Sequence, residues 1–320
     1  KRDFKIMEDW DQAFDYVLRE QNRNTTDFME WCDKCISLLR KQDRIGNAKS
    51  YQNSKDALAR YMEELSFQDI TSQFLNDWKN FLRSRGNENK TIRHYGVGIR
   101  AIYNRAVTSG ITEDKRPFRG FFNDIPVRDR RKKNRYLTRE QIQILEKAEL
   151  PTSHRRAIDL SLLQFYLCGA DLVDIYYLKW SDISGERIFL TRKKLGDKAY
   201  EFDVLFTEKA KAIVNRYGID GQDYIFPFRK DEKGYDTFYA NHRRSLKSVQ
   251  EKLNLKLQPK NDNFTSKVMR HTFATHGKFA RIEEDLLREL MGHERNDIDT
   301  VYKDKYPEAE RDKAQKRIID

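Results

Sequence analysis

The sequence predicts a mainly α-helical chain with one small antiparallel β-sheet, an α+β class divided into two folded blocks. Three observations carry this. First, apolar residues recur at helical spacing, as in Phe28, Trp31, Cys32, Cys35, Ile36 and Leu39, the i, i+3, i+4, i+7 stripe of one buried face. Second, strand-like runs are confined to Arg187–Arg192 and Ala199–Leu205, joined by a turn around Leu195-Gly196-Asp197-Lys198. Third, the composition breaks between about 112 and 137. There Pro117 and Pro126 flank Phe118, Phe121 and Phe122, and the run Arg128-Asp129-Arg130-Arg131-Lys132-Lys133-Asn134-Arg135 places six positive charges in eight residues.

The elements follow in order. The stripe after Asp27 is the first helix. A second is expected from about Ala48 to Leu65, anchored by Tyr51, Leu58 and Tyr61. Thr71 caps a third through Leu82, since a threonine hydroxyl can accept from the first free backbone amides of a helix. The polar, glycine-containing stretch Arg83–Asn89 is a loop, and a fourth helix covers Thr91 to Ser109 before Gly110. That helix carries Lys90, Arg93, Arg100 and Arg105, set against Ile92, Ile99, Ile102 and Val107. In the second block Thr138 caps a helix over 139–148. Helices at 153–168 and 171–180, the two strands, a helix at 207–217 and further helices to the C-terminus complete the chain.

Composition narrows the function classes. The 320 residues hold 62 Lys and Arg against 51 Asp and Glu, a net +11 that suits a polyanionic partner through phosphate neutralisation and counterion release. Three cysteines, an odd number, argue against a disulfide scaffold and for a reducing compartment. Cys32-x-x-Cys35 lies on the apolar stripe with no second pair and no nearby histidine, so it reads as core packing. His271 and His276 are five apart and do not share a helical face, and no nucleotide loop or acidic metal cluster is present, so neither cofactor nor metal is expected. No run approaches the length of a membrane span. The chain starts at Lys1, which suggests an upstream segment outside this sequence.

The last quarter carries the chemistry. It reads Lys267-Val268-Met269-Arg270-His271, then Leu290-Met291-Gly292-His293, then Tyr302 nine residues on. Cleaving a phosphodiester without a metal needs a nucleophile that can hold the phosphoryl group, fixed positive charge on the non-bridging oxygens, and a proton for the leaving oxygen. Tyrosine, arginine and lysine or histidine supply these. In order and spacing the stretch resembles the end of the catalytic domain of tyrosine recombinases, the phage-integrase family, in particular integrases of mobile elements whose first catalytic arginine is replaced. The helical block resembles that family's core-binding domain, with Asp69-Ile70-Thr71, Phe74-Leu75 and Phe81-Leu82 in its wording.

The resemblance implies a SAM-like helical core-binding domain over 1–112, a basic linker over 113–136, and a catalytic domain with a tail helix over 137–320. It implies Tyr302 as nucleophile, with Tyr306 as its rival, and Arg270 as phosphate clamp. Lys267 and His293 would contact the phosphate, with His271 as structural support. Lys194, with Lys193 as runner-up, would be the hairpin general acid. Lys90, Arg93, Arg100 and Arg105, and in the linker Arg130, Arg131, Lys132 and Lys133, would lie along DNA. One departure stands out. In Cys168-Gly169-Ala170-Asp171-Leu172-Val173-Asp174-Ile175 the family frame is intact, but Asp171 fills the slot of its first arginine. Losing such a clamp costs roughly 3–4 kcal/mol, so either the enzyme is impaired or another arginine reaches in: Arg192 first, Arg155 or Arg156 second.

The implied activity is site-specific recombination of double-stranded DNA through a 3′-phosphotyrosine and a Holliday junction, needing no ATP or divalent ion. The implied assembly is a tetramer on synapsed sites, monomeric when free, with an accessory DNA-bending protein as a further partner. The tail at 308–319 would pack onto a neighbouring subunit. The implied setting is a bacterial cytoplasm. A DNA-binding regulator that kept the fold without catalysis, and a type IB topoisomerase-like relaxase, are the rival readings.

Overall fold

The computed structural model describes residues 27–125, 135–192, 201–227, 232–260, 262–293 and 304–320. The expectations for Arg130, Arg131, Lys132, Lys133, Lys193, Lys194 and Tyr302 therefore lie outside the described residues. Two compact units divide the chain, residues 1–131 and 132–320.

The first unit holds α1 (Phe28–Lys41), α2 (Ile45–Ala59), α3 (Ser72–Ser84) and α4 (Asn89–Thr108). Asp27 caps α1 by accepting from the amides of Met29 and Glu30, and the predicted stripe from Phe28 to Leu39 is buried. Cys32 and Cys35 are free and buried in it, and burial pushes the Cys35 thiol up to about 12, so both are packing residues. Thr71 caps α3 through the Phe74 amide. Glycine lets α4 approach its neighbours closely. A Cβ at Gly98 would stand 2.2 Å from the Ser54 hydroxyl of α2, and one at Gly96 would stand 2.4 Å from the Phe121 ring.

Two expectations change here. The second helix ends at Ala59 rather than near Leu65, because the Leu65 carbonyl accepts from the Phe28 amide and Ser66 bridges Asp27. Long-range backbone pairing thus takes residues that local periodicity assigned to the helix. The stretch after 112 is also no free linker as far as 125. Phe118, Phe121 and Ile125 are buried in this unit's core, and Asp124 binds Lys79 and Arg83 at 2.8 Å each.

The second unit holds α5 (Arg139–Lys147), α6 (Thr152–Tyr166), α7 (Leu172–Tyr176), β1 (Ile183–Ser184), β2 (Arg187–Thr191), β3 (Glu201–Leu205), α8 (Glu208–Tyr217), α9 (Glu232–Lys252), α10 (Ser266–Phe279), α11 (Glu284–Leu290) and α12 (Glu308–Ile319). Thr138 and Gln141 form a capping box at α5. The sheet is an antiparallel meander β1-β2-β3, and Ile188 opposite Val204 and Leu190 opposite Phe202 turn its apolar face to the core. The expected helix over 171–180 stops at Tyr176, since Leu178, Lys179 and Trp180 pair their backbone with Asp223, Tyr224 and Ile225.

The tail helix α12 docks on its own unit. Arg311 binds Asp203, Asp312 binds Arg187, and the Gln315 amide bridges the Leu205 backbone and the Tyr166 carbonyl. Ile318 and Ile319 are buried beside them. A helix polar in sequence is thereby held on its own unit by buried hydrogen bonds. Among the described residues no helix is long and apolar enough to cross a membrane.

Candidate phosphate site of the second unit

Arg270 is the centre of the site. It sits on α10, is 5 % exposed, and is fixed from three directions: Nη1 donates to the Gly169 carbonyl at 2.7 Å, and Nη2 to the Met291 carbonyl at 2.8 Å and His293 Nε2 at 2.9 Å. These partners come from the ends of α6 and α11, so the guanidinium ties three elements. Two glycines make the approach possible. Gly169 has φ +77, and a Cβ there would meet the Arg270 Cα at 3.1 Å; Gly292 has φ +59, and a Cβ would run into the Phe202 ring at 2.3 Å.

His293 is neutral at physiological pH. Burial, followed by Arg270, Arg192, Arg288 and Lys267, depresses its pKa to about 4. Its Nε2 therefore accepts from Arg270, which leaves the proton on Nδ1 and makes the ring a hydrogen-bond donor without charge.

Asp171 does not stand apart from this cluster. Lys267 Nζ donates to Oδ1 at 3.1 Å, and Arg192 Nη2 donates to Oδ2 at 3.2 Å while its Nη1 donates to the Gly292 carbonyl at 3.1 Å. Burial alone would raise the carboxyl, but Lys267, Arg270 and Arg192 outweigh it and hold Asp171 below its ordinary range. Lys267 and Arg192 thus bind one carboxylate, with Arg270 in its field and His293 bonded to Arg270. The arrangement can grip an anion and polarise its oxygens.

Other sequence candidates fall elsewhere. Arg155 is committed to Asp159 and to the Leu145 and Ala148 carbonyls, and so is no clamp for this site. Arg156 lines a groove of about 410 Å³ between α6 and α9 together with His154, His242, Arg244, Ser245 and Ser248. Sequence reasoning missed this groove, although Asn241-His242-Arg243-Arg244 was a basic signal for it. The Tyr306 hydroxyl donates to Glu283, and Asp285 and Glu289 add to the field that raises its pKa, the wrong sign for a phosphate nucleophile. His276 binds the Leu137 carbonyl, and His271, half-buried, lies next to Arg270 in the helix. No group of metal-ligating side chains occurs among the described residues.

In the first unit the four cations of α4 do not share one face. At about 100° per residue, Arg93 and Arg100 fall within ~20° of each other, whereas Arg105 lies ~140° from Arg100. Arg93 and Arg100 stand over the Phe122 ring, 5.1 and 4.6 Å from its centre, and Lys90 and Arg100 are exposed. Arg105 instead turns inward, acting on the Cys35 thiol and the Tyr51 hydroxyl. It is removed from the DNA-facing set.

Comparison with known proteins gives a consistent picture. The family model described as phage integrase SAM-like domain matches residues 27–123, and that of the phage integrase family matches residues 135–309. Tyrosine recombinase XerA of Saccharolobus solfataricus is 29% identical over 246 residues, 72% of this chain and 72% of the relative. The integrase of transposon Tn1549 in complex with a circular intermediate DNA has a similar structure, with TM-score 0.62, 14% identity, and coverage of 89% of this chain and 98% of that chain. A lambda integrase tetramer bound to a Holliday junction is similar at TM-score 0.56 and 15% identity, covering 91% of this chain and 83% of that chain.

Proposed function

The chain belongs to the phage integrase family, a site-specific tyrosine recombinase, and from this premise we propose that Tyr302 is its nucleophile on double-stranded DNA. The single observation that carries the reading is the buried, three-point-held Arg270, with Arg192 and Lys267 on the neighbouring Asp171 and the family spacing from Arg270 to Tyr302. The Tyr302 hydroxyl gives up its proton to solvent, and its oxygen attacks the scissile phosphorus and displaces the 5′ oxygen. Phosphorus keeps its oxidation state, one P–O bond replaces another, and the leaving oxygen takes a proton. Lys194 is the donor proposed for that proton. A 5′ hydroxyl of the partner duplex reverses the step and frees the tyrosine.

Arg270 clamps one non-bridging oxygen. Arg192 supplies the second guanidinium in place of the arginine missing at position 171. Lys267 and the His293 Nδ1–H face the same phosphate. In the core-binding domain Lys90, Arg93 and Arg100 lie along the backbone, and Arg130, Arg131, Lys132 and Lys133 track it across the linker. The groove of Arg156 and Arg244 offers two more guanidinium groups and serine hydroxyls to the same duplex. Two rounds of exchange in a tetramer pass through a Holliday junction, as the lambda integrase assembly on such a junction illustrates for its own chain.

The test is covalent capture on a nicked suicide duplex of the recognised site. Wild type and Tyr306→Phe are expected to form the adduct, and Tyr302→Phe to form none. An adduct that survives Tyr302→Phe removes the assignment. Specific binding without any adduct favours the regulator reading.

A further inference from the structure

Asp171 occupies the N-cap position of α7, with extended backbone at φ −73 and ψ 145. An aspartate there ordinarily accepts from the first amides of its helix. This one makes no such bond. Both of its oxygens are turned to side chains far away in sequence, Oδ1 to Lys267 and Oδ2 to Arg192. The local role has been given up for a distant one.

Arg192 is the residue that profits. It follows the last residue of β2, where a long flexible side chain would otherwise sample many rotamers. The carboxylate and the Gly292 carbonyl give its two terminal nitrogens fixed partners, and the side chain is 11 % exposed. Its Nε–H, by contrast, is buried without a hydrogen-bond partner among the described residues. A buried donor left unpaired is costly, and an anion entering the site would satisfy it.

We propose that Asp171 is a positioning residue that holds Arg192, and with it Lys267, at the place where the family carries an arginine on position 171 itself. The inference rests on the recombinase reading, in which Arg192 is the second clamp. A carboxylate in a phosphate site would repel the substrate if it stood alone. Here Arg192 and Lys267 flank it and Arg270 lies close by, so the local charge remains positive. The guanidinium is supplied from the strand end and oriented by the residue that replaced it.

The experiment compares single-turnover adduct formation by Asp171→Ala, Arg192→Ala and the double variant, with DNA affinity measured in parallel. Each single variant is expected to slow cleavage by about tenfold to a hundredfold, at or below the lower end of what one preorganised donor contributes, while the DNA concentration for half-saturation stays within about twofold. The double variant should be no slower than Arg192→Ala, because both act on one contact. Asp171→Arg combined with Arg192→Ala should recover part of the lost rate by placing the guanidinium in the slot directly. Multiplying defects overturn the proposal, as does an Asp171→Ala enzyme as fast as, or faster than, wild type, which would make the carboxylate a mask. If wild type forms no adduct, the cleavage reading fails by itself. A thermal double-mutant cycle on Asp171 and Arg192 then decides the contact, and zero coupling overturns it.

Discussion

Arg270 in the second unit and Arg100 in the first are both candidate phosphate ligands, and they are built in opposite ways. Arg270 is buried, with two backbone carbonyls and a neutral histidine fixing its guanidinium. Arg100 is exposed and rests on the Phe122 ring with Arg93 beside it. The first arrangement bears its ordering cost at folding and meets a developing charge already in place, which is what transition-state stabilisation requires. The second stays hydrated and adjustable, which suits attraction to a backbone whose sequence it does not read. Cations of one type thus separate into chemistry and adhesion according to what holds them.

The comparison is broken most directly at Arg270. Arg270→Ala should lower single-turnover cleavage by about 100- to 1000-fold, the loss typical of an oxyanion donor. DNA affinity should fall far less. Loss confined to affinity would place Arg270 with the surface cations.

A second prediction separates the units by acid. Among the described residues, the histidines with depressed pKa values, His242, His271, His276 and His293, all belong to the second unit. His242 is 4 % exposed and is pushed down to about 4 by burial and Arg156. Above pH 6.5 neither folded nor unfolded chain protonates it. Between 6.5 and about 4 the unfolded chain takes up the proton and the folded one does not, so stability falls as pH falls. His242 alone corresponds to roughly 3 kcal/mol over that window. Calorimetry at pH 7 and pH 5 should move the transition of the second unit more than that of the first. Equal shifts would contradict the burial pattern.

The smallest effect is expected at the helical unit. Arg100→Ala should weaken DNA binding by less than about tenfold and reduce the slope of log affinity against log salt by about 0.9, with the cleavage rate at saturating DNA unchanged. A changed cleavage rate would blur the separation between the two regions.

Much of this was legible in the sequence. The stripe from Phe28 to Leu39, the caps at Thr71 and Thr138, and the run from Lys267 to His293 all declare themselves at spacings of a few residues, where helix periodicity and motif order operate. What sequence reasoning lost was set by distant partners. The helix expected through Trp180 yields to backbone pairing with Asp223–Ile225, and β1 exists only because Ile183 meets Ile188. Arg105 looked equivalent to Arg100 until the core claimed it. Asp171 was read as a gap in the machinery. Its contacts reach 21 residues to Arg192 and 96 to Lys267, beyond any local rule.

The docked tail bears on the proposed nucleophile. His293 is anchored through Arg270 and the Arg288 carbonyl, and the chain is anchored again at Tyr306, whose amide donates to Glu289 ahead of the docked α12. In sequence, the proposed nucleophile Tyr302 falls between these two moorings. The docking of α12 thus holds the downstream end of the stretch that carries the proposed nucleophile.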